Sequence, residues 1–140
     1  MEAVRFVLDS YALLAFLEGG KGHKQVGKLL EKALDGRCTL FLSIVNLGEV
    51  LYITERERGL PKAQAALARI DELPIKIVEA NRNQTLTAAH IKAKWPIAYA
   101  DAFAAALAKL EGAPIVTGDP EFEKLEAASL VTIVWLESSR

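Results

Sequence analysis

The sequence predicts an α/β fold, in which a mostly parallel sheet carries helices on both faces and makes three layers in all. Three observations predict it. Short apolar runs suited to strands alternate with longer runs at helical spacing along the whole chain. Glycine, proline or a capping Ser or Asn stands at most junctions between them. The 140 residues fit one domain, 1–140, and leave little room for two. Alternation of this kind implies βαβ units with right-handed crossovers.

The elements follow in order. Val4–Leu8 reads as the first strand. Ser10 caps a short helix to about Leu17, and Gly19-Gly20 ends it. His23–Leu34 is a second helix, with Val26, Leu29, Leu30, Ala33 and Leu34 at helical spacing and Gly36 as its stop. Thr39–Leu42 is a second strand, and Ser43 caps a helix to about Arg58, closed by Gly59. Pro61 fits the first turn of a helix lasting to about Glu72. After Pro74, Ile75–Val78 is a third strand, and Asn81 caps a helix to about Lys94. Trp95-Pro96 interrupts, because a residue before proline avoids helical geometry. Tyr99–Glu111 is an alanine-rich helix stopped at Gly112. Ile115–Thr117 is a fourth strand, Glu121–Glu126 one or two helical turns, and Val131–Leu136 a last strand.

Composition narrows the class. The apolar share is 51% and the charged share 25%, as in an ordinary soluble domain. No run approaches the ~20 apolar residues of a membrane span, and the short N-terminal apolar run lacks a signal-peptide cleavage pattern. A cytoplasmic protein is expected. Cys38 is the only cysteine, so an internal disulfide and a cysteine zinc site are both excluded, and an inert small hydrophobe is expected there. The net charge is −1, from 17 basic and 18 acidic residues. Any polyanion bound here must be held by local basic residues or by metal.

In an open parallel sheet, ligands bind beyond the carboxyl ends of the strands. Asp9 directly follows the first strand, and Asp119 lies just past the fourth. Capping of the next helix accounts for either one alone. Two further acids stand in unusual places. Glu49 is the only charge between Ile44 and Ile53, and with Ser43 and Asn46 it forms a polar row spaced by three on an otherwise apolar helix. Asp101 is the only charged residue between Lys94 and Lys109. It is either a compensating charge in a first helical turn or a ligand. Four ionised acids near one point repel, at on the order of 3 kcal/mol per pair at ~5 Å and an effective dielectric of ~20. Only function or a cation makes such a cluster tolerable. Oxygen ligands suit Mg²⁺ or Mn²⁺ over zinc, and a metal-activated water is a hydrolytic nucleophile.

Four segments together resemble the PIN-domain ribonucleases: Asp9-Ser10-Tyr11-Ala12-Leu13-Leu14, Ser43 to Tyr52 with Glu49, Ala100-Asp101-Ala102-Phe103, and Val116-Thr117-Gly118-Asp119-Pro120-Glu121-Phe122. Within that family the chain is most similar to the VapC-type toxins of toxin–antitoxin pairs. The resemblance spans essentially the whole chain, with its motifs in the family's order. It implies a five-stranded parallel sheet with flanking helices and a metal-dependent endoribonuclease. It carries catalytic and metal-holding roles onto Asp9, Glu49, Asp101 and Asp119, with Mg²⁺ or Mn²⁺ as cofactor. Thr117 matches a supporting hydroxyl position, and Asn46 a polar position beside the helix acid. RNA is the implied substrate, a small antitoxin the implied partner, and a homodimer the implied assembly. Position 11 departs from the pattern: many relatives carry a small Ser or Asn where this chain has Tyr11.

Other residues have plainer readings. His23 and His90 lie on polar helices away from strand ends, and Trp95 and Trp135 read as core or interface anchors. Lys21, Lys24, Lys28 and Lys32, and the group Arg56, Arg58 and Lys62, read equally as solvated faces or phosphate contacts. Glu121 reads as an outer acid of the site or as part of a first helical turn. Two rival enzyme classes lack their residues. A receiver-type phosphoacceptor needs an acidic pair after the first strand and a late Lys, but Ser10 follows Asp9 and residues 131–140 hold no Lys. A haloacid-dehalogenase-type phosphatase needs an acid at position 11. The remaining alternative is a non-catalytic PIN-type scaffold binding RNA or protein, which loss of an acid would mark; all four acids are present.

Overall fold

The computed structural model describes residues 4–137. Its elements run β1 (Val4–Leu8), α1 (Ser10–Glu18), α2 (His23–Leu34), β2 (Cys38–Ser43), α3 (Ile44–Arg58), α4 (Leu60–Asp71), β3 (Lys76–Val78), α5 (Arg82–Lys94), α6 (Tyr99–Glu111), β4 (Ile115–Thr117), α7 (Glu123–Ala127) and β5 (Ile133–Trp135). A 3₁₀ turn, Pro120–Phe122, leads into α7. Thus the five-stranded sheet flanked by helices, expected from the sequence, is the architecture observed.

All strand pairs are parallel, in the order β3-β2-β1-β4-β5. The chain winds outward from β1 to β3, then returns to place β4 on the other side of β1. That reversal is the switch point where a crevice opens at the carboxyl ends of such sheets. Side chains alternate across the sheet with the strand period of two. Val7, Phe41 and Ile115 join a core with residues of α5, α6 and α7. Leu8, Leu40, Leu42 and Val116 join a second core with α1, α2, α3 and α4.

Strand bounds differ slightly from the sequence reading. The third and fifth strands are shorter than expected, because each is an edge with limited pairing: β3 meets only Phe41–Ser43, and β5 only the three residues of β4. β2 begins one residue earlier, at Cys38, which is buried and donates its thiol to the Leu29 carbonyl at 3.6 Å. Burial pushes that thiol's pKa up, which leaves it protonated and unreactive.

The helix ends follow their capping residues. Ser43 Oγ accepts from the Val45 amide at 3.2 Å, and Asn81 Oδ1 from the Gln84 amide at 2.9 Å. The α6 helix is unusual in having no wet face for most of its length. Residues Ala100 to Ala108 are all buried, and six alanines among them let neighbouring elements approach closely. Among the described residues, no helix is long and apolar enough to cross a membrane.

Candidate active site

Asp9 ends β1 and opens α1. Its Oδ1 accepts from the Ala12 amide at 2.9 Å, which caps the helix as the plainer sequence reading allowed. The same carboxylate faces the switch point. Leu8 pairs with Val116, so Asp9 comes beside Thr117, and the Thr117 hydroxyl donates to Asp9 Oδ2 at 2.5 Å. Capping and a site role therefore coexist in one carboxylate. Asp9 is 1% exposed, and its pKa is raised to about 7. Burial is the main cause, and Asp119 adds repulsion; the bonds from Thr117 and Ala12 oppose both.

Thr117 serves two partners. While donating to Asp9, its Oγ1 accepts from the Asp119 amide at 3.0 Å. Asp119 in turn caps the 3₁₀ turn, its Oδ1 accepting from the Glu121 amide at 2.9 Å. One hydroxyl thus links the end of β1 to the loop after β4.

Asp101 enters from the first turn of α6 and is 6% exposed. Oxygens of Asp101, Asp119 and Glu121 all lie within 4.8 Å of one another. The Asp101 pKa is raised to about 9. Burial contributes most, followed by a hydrogen bond with Glu121 and repulsion from Asp119, Asp9 and Glu121. Burial and neighbouring acids thus both favour the protonated form of Asp101.

Asn46 ties two of the acid-bearing segments together. It is fully buried on α3, and its Nδ2 donates to Ser10 Oγ at 3.0 Å and to the Ala100 carbonyl at 3.2 Å. Ser10 adjoins Asp9, and Ala100 adjoins Asp101. Ser43, also fully buried, caps the same helix. Among the described residues, Asn46 Oδ1 accepts from none. Glu49 lies one turn further along α3, half-buried. It makes no hydrogen bond or ion pair with the described residues and stands outside the group formed by Asp101, Asp119 and Glu121. A partly exposed carboxylate keeps its hydration, and like charge gives it no reason to approach the other three.

The structure therefore gathers Asp9, Asp101, Asp119 and Glu121 at the carboxyl edge, with Thr117 and Asn46 as the groups that fix them. Glu121 joins the cluster although its sequence context also suited a helical turn; the 3₁₀ turn performs both tasks. Ser10 was missed as a partner of Asn46, since nothing local to Asp9-Ser10 reveals a bond to residue 46. The oxygens of Asp101, Asp119 and Glu121, all of them carboxylate, converge within one coordination span, which fits a hard divalent cation such as Mg²⁺ or Mn²⁺.

The PIN domain family model matches residues 6–128. The chain belongs to the PIN domain family. A comparison with curated protein sequences finds no match. Solved structures of VapBC complexes and of a VapC toxin share its fold. The VapBC2 complex of Rickettsia felis, bound to a DNA fragment from its promoter, aligns with a TM-score of 0.73 at 16% identity, covering 96% of this chain and 100% of that one. DNA-bound VapBC from Salmonella typhimurium aligns at 0.70 and 17% identity, over 94% and 97% of the two chains. VapC20 of Mycobacterium tuberculosis, a toxin that cleaves the sarcin-ricin loop, aligns at 0.66 and 18% identity, over 86% and 93%. At these identities the likeness is one of fold.

Proposed function

We propose that this PIN domain is a divalent-metal-dependent endoribonuclease, and the toxin of a VapBC-type toxin–antitoxin pair. The observation that carries the reading is the convergence of Asp101, Asp119 and Glu121 within 4.8 Å, beside the buried Asp9, at the switch point of the sheet. A fold gains no stability from like-charged carboxylates pressed together in poor solvent. A site that takes up a cation does gain function from them.

In this reading Asp9, Asp101, Asp119 and Glu121 would hold the metal, with Glu49 on α3 as the further acid whose approach would need the cation's charge. A divalent cation bound there supplies Lewis acidity, activating water and offsetting phosphate charge during phosphodiester hydrolysis. Thr117 holds Asp9 and the Asp119 backbone in register with one hydroxyl. Asn46 keeps the Asp9 and Asp101 segments at a fixed spacing. A metal held by these carboxylates would compete with protons for them, so its uptake would strengthen as pH rises. With a net charge of −1, affinity for RNA rests on the loaded site and on RNA shape or unpaired loops, since bulk attraction is absent.

The partner reading has its own support. The structures of VapBC from Rickettsia felis and Salmonella typhimurium are complexes of this fold. Tyr52, Leu60 and Leu67 are exposed on α3 and α4, apolar side chains of the sort a protein partner or a second copy covers. A small antitoxin and a homodimer are accordingly proposed.

The test is cleavage of structured and single-stranded RNAs by purified protein with Mg²⁺, Mn²⁺ or EDTA, beside Asp9→Asn and Asp101→Asn. Cleavage in Mn²⁺, absent in EDTA and in both variants, is expected. Cleavage that survives EDTA and both substitutions overturns the proposal. For a toxin of narrow substrate range, growth arrest on expression, abolished by Asp9→Asn, reads the same activity in the cell.

A further inference from the structure

Tyr11 lies on the first turn of α1, two residues beyond Asp9, and is half-buried. Its ring runs against Gly118, the residue between Thr117 and Asp119. A Cβ placed on Gly118 would stand 2.7 Å from the ring's Cζ and 3.0 Å from its Oη, with Cε1 nearer still. The positive-φ glycines are Gly19, Gly22, Gly36, Gly59 and Gly112, and Gly118 is not among them. Glycine at 118 therefore answers to space and not to backbone conformation. The Tyr11 hydroxyl bonds to no described residue, so the ring itself makes the contact.

We propose that Tyr11 is a positioning residue: its ring, seated on Gly118, fixes the Thr117–Asp119 loop against β1 and sets how tightly the carboxylates grip a divalent cation. This rests on the metal reading above. Asp9 and Tyr11 share one rigid helical turn. On the opposite side, Thr117 and Asp119 are joined through the one residue that has no side chain to pack and the most backbone freedom to lose. The Thr117–Asp9 hydrogen bond alone is a pivot. A second contact, one residue further on, stops rotation about it and holds Asp119 at a constant distance from Asp9. Groups behind metal ligands act in this way, by orienting ligands they do not replace.

The experiment measures Mn²⁺ affinity by calorimetry, and thermal melts in EDTA, on the full chain. The proteins are wild type, Tyr11→Phe, Tyr11→Ala, Gly118→Ala and the double variant Gly118→Ala/Tyr11→Ala. Tyr11→Ala is expected to weaken Mn²⁺ binding about tenfold, whereas Tyr11→Phe, which keeps the ring, stays within about twofold of wild type. Gly118→Ala is expected to weaken binding to a similar degree, yet to add less than about twofold once Tyr11→Ala has removed the ring, which is the signature of direct coupling. Equal losses from Phe and Ala at position 11 would assign the effect to the hydroxyl and overturn the proposal. Independent, multiplying effects of the two substitutions overturn it as well. If Tyr11→Ala does not fold, Tyr11→Leu takes its place in the cycle. A wild type that binds no Mn²⁺ overturns the metal reading instead. The melts in EDTA then decide the brace, by whether the loss from Gly118→Ala vanishes in the Tyr11→Ala background.

Discussion

Thr117 donates its hydroxyl to Asp9 at 2.5 Å across the junction of β4 and β1, joining residues 108 positions apart in the chain. The same oxygen accepts the Asp119 amide at 3.0 Å. Thr117→Val keeps the branched shape and removes both bonds. Leaving these buried groups unpaired costs about 1–3 kcal/mol, so the variant should melt several degrees lower in EDTA and lose most of its RNA cleavage. A melt and an activity both equal to wild type would show that the bond positions nothing.

Metal-free stability should fall as pH rises. Asp9 titrates at about 7 and Asp101 at about 9 in the folded state, against 3.8 for the free side chain. The folded protein therefore binds more protons than the unfolded chain between these values, and stability declines through that interval. The contribution is fully present below pH 3.8, fades through pH 7 for Asp9, and continues to fade to about pH 9 for Asp101. Urea titrations in EDTA from pH 5 to 9 check the slope. Its sign should be negative, and Asp9→Asn should flatten its lower half. A rise in stability over that range contradicts the argument.

Asp101→Asn removes the most strongly perturbed acid. Its metal-free melting temperature should equal or exceed that of wild type, while cleavage disappears. Mn²⁺ should stabilise wild type by mass action, by about 2.7 kcal/mol at one hundred times the dissociation constant, and the variant far less. Paired melts in EDTA and Mn²⁺ separate the two effects. A variant that melts far lower in EDTA would falsify the electrostatic account and make Asp101 a structural residue.

Asn46 offers a contrasting case, because its role is to hold and not to repel. Asn46→Ala removes the donor to Ser10 and Ala100 from a fully buried position. Destabilisation of about 2 kcal/mol is expected from the lost bonds and the space left. Asn46→Asp should do worse, since it adds a buried acceptor where a donor is needed. Chemical denaturation ranks the two; the reverse order would refute the network.

Much of this site was legible in the sequence. Asp9 and Asp119 declared themselves by following strands, because the carboxyl edge of a parallel sheet is a fixed address once strand order is known. Asp101 stood out as a lone charge in an alanine-rich helix, and it is buried there. Glu121 was ambiguous because a 3₁₀ turn and an acidic cluster make the same local demand for an acid. Glu49 shows the opposite limit. Its lone charge in an apolar helix marked the α3 face, but a half-exposed carboxylate keeps water and need not join a cluster. The contacts of Tyr11 with Gly118 and of Asn46 with Ser10 were illegible, since each depends on elements whose spacing only the folded sheet fixes. Edge strands were over-read for a related reason: their length is set by the partner strand and not by their own apolar run.

The pairing of β1 with β4 also fixes when the site comes into being during synthesis. Asp9 leaves the ribosome first, and Thr117, Asp119 and Glu121 follow only after more than a hundred further residues. At ~5–20 residues per second, several seconds separate the first acid from the last. For most of that interval the nascent chain lacks three of the four gathered carboxylates, and until β4 follows it has no partner strand on one side of β1. A site built on this plan is assembled only once the segment after β4 has followed β1 out of the ribosome.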